Sequence, residues 1–230
     1  MSKNYAVFTG DLVGASRAST ESLERSMSAI EGGAHDVETM TGQSLRFTRH
    51  RGDGWQLCLT DVSKLWLTLV LILASLKAEG GLLDTRASIG VGPVDSLGTK
   101  DLNDASGFAF TISGRGLDSL QKAHRRPRNR LASDPVGLGL NGKLGIVGII
   151  DDHDLPILEF ISHLSLSWSV PQAEAIRLAL LNPNMTQEQV AQGLGISRQA
   201  LAARLKNAGF IPIQLAVLTN KWENEPKASP

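Results

Sequence analysis

Tyr5-Ala6-Val7-Phe8-Thr9-Gly10-Asp11-Leu12-Val13-Gly14-Ala15-Ser16 is an apolar run that ends at a carboxylate framed by glycines. A second such piece, Arg51-Gly52-Asp53-Gly54-Trp55, stands between two more strand-like runs. Residues 5–9, 45–50 and 55–59 read as strands, and the Asp-Gly pair supplies the backbone freedom that a tight hairpin needs. The two aspartates then meet at one edge of a sheet. Paired carboxylates in that position can hold magnesium against phosphates.

Outward from these bends, residues 19–41 place Leu23, Met27, Ile30, Ala34 and Val37 at spacings of four and three, one face of a helix. Gly32-Gly33 reads as a break within it. Asp61 can cap a helix over residues 65–76, whose apolar run is shorter than the ~20 residues of a membrane span and so reads as a core helix. A strand over 85–91 ends at Pro93, and the loop Asp104-Ala105-Ser106-Gly107 leads to a helix over 113–123. Residues 144–150 supply a last strand. The order predicts an α/β (α+β) domain over 1–150: a ferredoxin-like split βαβ sheet with its helices on one face. Residues 151–170, with Leu155, Leu158, Ile161 and Leu164 at helical spacing, read as a helical connector.

The remainder is all-α. A helix over 171–181 is broken by Asn182-Pro183-Asn184; Thr186 and Ser197 can each cap a short helix, and Gly195 sits where a left-handed backbone is needed between them. Val190, Ala191, Leu194, Ile196, Leu201 and Leu205 supply a small core. Residues 171–222 therefore carry a helix-turn-helix signature.

Composition bounds the partners. The 230 residues are 42% apolar with a formal net charge of zero, which excludes a globally basic nucleic-acid coat. Charge is concentrated instead in the run from His124 to Arg130. The lone Cys58 excludes a disulfide framework and a Cys-based zinc site, and with no signal-peptide pattern it predicts a reducing, cytoplasmic setting. No His/Cys/carboxylate spacing fits zinc, no serine lies in a nucleophile motif, and residues 224–230 read as a frayed tail.

Asp11-Leu12-Val13-Gly14-Ala15-Ser16 resembles the Asp-Ile-Val-Gly-Phe-Thr strand end of the class III nucleotidyl cyclases, and Gly52-Asp53 resembles their second metal-binding hairpin. The whole chain resembles the SatD family, which joins such a domain to a C-terminal helix-turn-helix. The resemblance implies Asp11 and Asp53 as ligands of Mg²⁺ or Mn²⁺, Val13, Gly14, Ala15 and Ser16 as a phosphate cradle, and Asp104 and Arg49 as base-reading positions. It also implies Arg115 as the transition-state cation, Thr111 at the catalytic Asn position, and a site completed across a homodimer. In that chemistry the 3′-hydroxyl of a nucleoside triphosphate attacks the α-phosphorus and pyrophosphate leaves, with metal ions screening the charge. Thr111 and Arg49 depart from the family's Asn and Lys, which shifts the expectation from turnover toward binding.

At the second helix of the C-terminal unit, Ser197 can bind a phosphate while Arg198 and Gln199 reach base edges of double-stranded DNA. Ala202 permits close approach, and Arg204 and Lys206 lie further along for the backbone. The expected function is a cytoplasmic DNA-binding transcription regulator with a cyclase-like domain that senses a nucleoside triphosphate or cyclic nucleotide. The alternative is an active nucleotidyl cyclase with an accessory helix-turn-helix.

Overall fold

The computed structural model describes residues 3–50, 52–124, 137–138 and 143–218. The basic run from residue 125 onward and the tail at 224–230 lie outside the described residues. The elements are β1 (Asn4–Leu12), α1 (Thr20–Thr41), β2 (Leu45–His50), β3 (Gly54–Leu59), α2 (Leu65–Ala78), β4 (Thr85–Pro93) and α3 (Phe108–His124), then β5 (Gly137–Leu138) and β6 (Leu144–Gly148). After these come α4 (Asp154–Ser167), α5 (Val170–Leu181), α6 (Gln187–Gly193), α7 (Arg198–Asn207) and α8 (Phe210–Leu218). A mixed α/β region is thus followed by an all-helical one.

The sheet order is β2-β3-β1-β4-β6-β5. β3 lies between β2 and β1 and antiparallel to both, which is the split βαβ order, and β6 extends the sheet parallel to β4. Side chains alternate along β1: Ala6, Phe8 and Leu12 face the main core with α1 and α2, while Val7 faces Ala109 and Phe110 of α3. Helices therefore cover both faces, which corrects the one-faced expectation. Glycine on β4 permits the second layer, since a Cβ on Gly90 would lie 2.3 Å from the Ala109 carbonyl oxygen.

α2 is buried on nearly every side, packed by α1 and α5, as its unbroken apolar run predicts. α1 runs through Gly32-Gly33 without a break. A Cβ on Gly33 would come 2.9 Å from the Ile72 Cα, so this glycine serves close helix packing rather than a bend. α3 begins at Phe108, five residues ahead of the expected start at 113. Burial pushes the Cys58 thiol up to about 12, in keeping with a buried, inert cysteine.

Residues 151–170 are more than a connector. α4 packs on β6 and α2, and buried Trp168 donates its indole N–H to the Ala208 carbonyl at 2.9 Å. Thr186 and Ser197 cap α6 and α7 through the N–H groups of Gln189 and Ala200, and Gly195 takes φ 64 in the turn between them. No helix among the described residues is long and apolar enough to cross a membrane.

Candidate functional site

The antiparallel registers build a polar row across the α3 face of the sheet. Asp11 lies opposite Gly54 on one side and Arg86 on the other, and Gly54 in turn lies opposite His50. One step along the strands, Thr9 stands between Gln56 and Ser88. Period-2 alternation then puts His50, Gln56, Thr9, Asp11, Arg86 and Ser88 on a single face. Thr9 and Ser113 of α3 share a hydrogen bond at 2.8 Å, and Gln56 donates to the Thr9 hydroxyl at 3.2 Å. Ser88 Oγ has no partner among the described residues and lies under Gly116, where a Cβ would sit 2.0 Å from it.

Asp11 is the centre of this row and is only 9% exposed. Arg86 grips its carboxylate as a fork, Nε to Oδ1 at 2.9 Å and Nη2 to Oδ2 at 2.7 Å, while Gln121 of α3 donates to Oδ2 at 2.9 Å. Sequence reasoning missed both Arg86 and Gln121. Their signal is the β1–β4 register and the face of α3, neither of which exists in the sequence until the strands pair. Asp53 lies on the adjacent hairpin tip, where its carbonyl accepts the Leu12 N–H at 3.0 Å and its half-buried carboxylate has no partner among the described residues.

The remaining predicted residues are dispersed around this centre. The Leu12 and Val13 N–H groups are spent on the carbonyls of Asp53 and Asp84, so of the proposed cradle only Gly14, Ala15 and Ser16 keep N–H groups without a described acceptor. Arg49 points to the other face of the sheet and forks onto Glu24 of α1 at 2.7 and 2.8 Å, holding the Glu24 carboxyl below its ordinary range. Asp104 accepts the Thr99 hydroxyl at 2.7 Å and the Thr99 N–H at 3.0 and 3.1 Å, and these bonds hold it below the usual carboxylate range. Thr111 and Arg115 are exposed on the outward side of α3, while Ser113 and Gln121 of the same helix face the sheet. One chain therefore does not bring Arg115 to Asp11.

Among the described residues, no three His, Cys, Asp or Glu side chains group as a metal cage. Both oxygens of Asp11 are already bonded, to Arg86 and Gln121, while the Asp53 carboxylate on the hairpin tip has no partner among the described residues. A cation at Asp11 would require Arg86 to release it.

At α7, Ser197, Arg198, Gln199, Ala202 and Lys206 are all exposed along one side. The spacing from 198 through 202 to 206 is that of a single helix face. Arg204 departs from the set: it turns inward to Glu174 of α5 at 3.7 Å.

No protein-family model matches the chain, and no curated protein matches it. Among solved structures, the crystal structure of the guanylyl cyclase Cya2 is similar over 50% of this chain and 70% of that one, at 18% sequence identity and a TM-score of 0.36. The resemblance is weak and partial.

Proposed function

We propose that the chain is a DNA-binding transcription regulator whose sheet region binds a nucleotide. The observation that carries this reading is the outward face of α7, where the side chains of Arg198, Gln199 and Lys206 stand exposed with no described partner. Arg and Gln at the start of a helix that follows a short turn are placed to meet base edges in a major groove, with Lys206 on the phosphates. The Ser197 oxygen caps the helix by accepting the Ala200 N–H at 3.1 Å, which leaves its own hydrogen for a phosphate. A fluorescence-anisotropy titration against DNA from upstream of the protein's own gene tests this at low salt. Absence of binding there ends the DNA reading.

The nucleotide half rests on the polar row. Asp11 and Asp53 would hold a Mg²⁺ or Mn²⁺ ion carried in on the phosphates, and the ion supplies charge neutralisation. Arg86, freed from Asp11, would then lie beside the same phosphates.

A second reading is an active nucleotidyl cyclase. It is favoured by the position of Arg115 and Thr111, exposed on α3 where a second copy of the chain can take them into its own Asp11 site. The two readings separate on turnover. Incubation with each ribonucleoside triphosphate and Mg²⁺ or Mn²⁺ is followed by mass spectrometry for cyclic product. Product that disappears in Asp11→Ala and Asp53→Ala makes the cyclase reading primary, whereas nucleotide binding without product keeps the regulator.

A further inference from the structure

A cavity lies away from the polar row, between the sheet region and the helical region. It measures about 310 Å³. Leu73 and Leu76 of α2, Leu82, Leu144, Leu166 of α4 and Val170 of α5 give it an apolar lining, with buried Trp168 in its wall. Both regions contribute: Leu82, Asp84, Thr85 and Leu144 come from the sheet region, and Leu166, Trp168 and Val170 from the helical one. A cavity of a few hundred Å³ that is mostly apolar, holds a few polar groups and sits where two regions meet is the usual form of a small-molecule site.

The polar groups limit what such a molecule can be. Lys143 is paired with Asp84, so those two charges cancel within the lining. The side-chain ammonium of Lys77, at the last turn of α2, has no ion pair or hydrogen bond among the described residues. Ser165 spends its hydroxyl on the Ser162 carbonyl at 3.0 Å. Among the described residues the lining thus offers a largely apolar body, a few hydroxyls and one uncompensated positive charge, that of Lys77.

We propose that this cavity binds a small amphipathic carboxylate, with its hydrocarbon part against the leucines and its carboxylate at Lys77. The cavity's walls are tied to both ends of the molecule. Thr85 donates its hydroxyl to the Asp11 carbonyl at 2.8 Å, and the Asp84 carbonyl accepts the Val13 N–H at 2.7 Å. On the other side, Trp168 is bonded to Ala208, the C-cap of α7. An occupant therefore touches segments hydrogen-bonded to the Asp11 strand end and to α7 at once.

Octanoate is the probe, with octan-1-ol as the neutral molecule of the same chain length. Isothermal titration of the full chain is expected to give saturable, stoichiometric octanoate binding, and thermal unfolding in its presence a raised midpoint. Octanol is expected to bind roughly tenfold more weakly, since it lacks the charge that Lys77 meets. Leu166→Trp places an indole at the rim of the cavity, where Leu166 is 44% exposed, and is expected to abolish octanoate binding. Lys77→Met, at a half-buried side chain on a helix end, is expected to bring octanoate down to the affinity of octanol; it carries the test if Leu166→Trp fails to fold. No saturable octanoate binding by the wild-type chain at millimolar concentration overturns the proposal. So does equal binding of octanol, or binding by both variants that matches the wild type.

Discussion

Asp11 and Arg198 are both charged residues beside a turn, and the fold treats them in opposite ways. Asp11 is nearly buried, and three donor atoms from residues 75 and 110 positions away close on its carboxylate. Arg198 stands in solvent at the start of α7 with no described partner. A buried carboxylate must be matched by donors or it destabilises the fold, so its partners become part of the structure. An exposed guanidinium costs the fold nothing and stays available to an outside partner. The lesson is that the partner, rather than the residue type, separates a group already committed within the fold, which a ligand reaches only by displacing that partner, from one that stands open to solvent.

The largest effect tests that division directly. Arg86→Ala leaves the Asp11 carboxylate with Gln121 alone, and removing one member of a buried, forked pair is expected to cost about 3 kcal/mol. Arg198→Ala is expected to stay within about 0.5 kcal/mol, as surface changes do. Urea unfolding of both variants measures the difference. If Arg86→Ala is as benign as Arg198→Ala, the fork on Asp11 contributes little to the fold, and Arg86 belongs with the groups left free for a ligand.

On the α7 side the order reverses. Arg198→Ala and Gln199→Ala are each expected to weaken a preferred DNA site by about 1 to 3 kcal/mol while sparing non-specific binding. Arg204→Ala sharpens the comparison within the same helix, because its guanidinium is already turned to Glu174. It is expected to leave sequence preference intact and to cost about 0.5 kcal/mol of stability, the value of a half-exposed pair. Anisotropy titrations against a preferred and a scrambled site read out both. Loss of preference in Arg204→Ala alone would move the recognition face around the helix.

Much of this was legible where causes are local. The α2 core helix follows from an apolar run with no polar side, the α6 and α7 caps from Thr186 and Ser197, and the left-handed turn from Gly195. The hairpin that carries Asp53 follows from its Asp-Gly pair. What sequence could not supply were relations between distant segments. Gly33 looks like a helix breaker on propensity, yet it is the point where α1 meets Ile72 of α2. The placement of α3 on the second face depends on Gly90 and Gly116 acting together with residues of other elements. Arg86 became a partner of Asp11 only through strand register, and Arg49 became a partner of Glu24 because odd positions of β2 face α1. Spacing brought Asp11 near the end of β1 and Asp53 to the hairpin tip beside it, but it contained nothing about which hydrogen bonds their oxygens would already hold.

The smallest expected effect falls on Asp104, which stands between the two cases: exposed like the α7 face, yet spent like Asp11. The Thr99 hydroxyl and then the Thr99 N–H bond its charged form and lower its folded value below the ordinary 3.8. With the folded value depressed, the stabilisation is fully present above that ordinary value and is lost as pH falls through the folded one. Thr99→Val removes the hydroxyl, so the Asp104 carboxyl should move back up while stability at neutral pH changes little. The variant should also lose less stability than the wild type as pH falls through that window, because the stabilisation linked to Asp104 is smaller from the start. Carbon-detected NMR titration of the side-chain carboxyls follows Asp104 in both proteins. If the wild-type carboxyl titrates at its ordinary value, its oxygens are not committed to Thr99. Asp104 then joins Arg198 among the groups kept for a partner, and a base-reading role for it regains its footing.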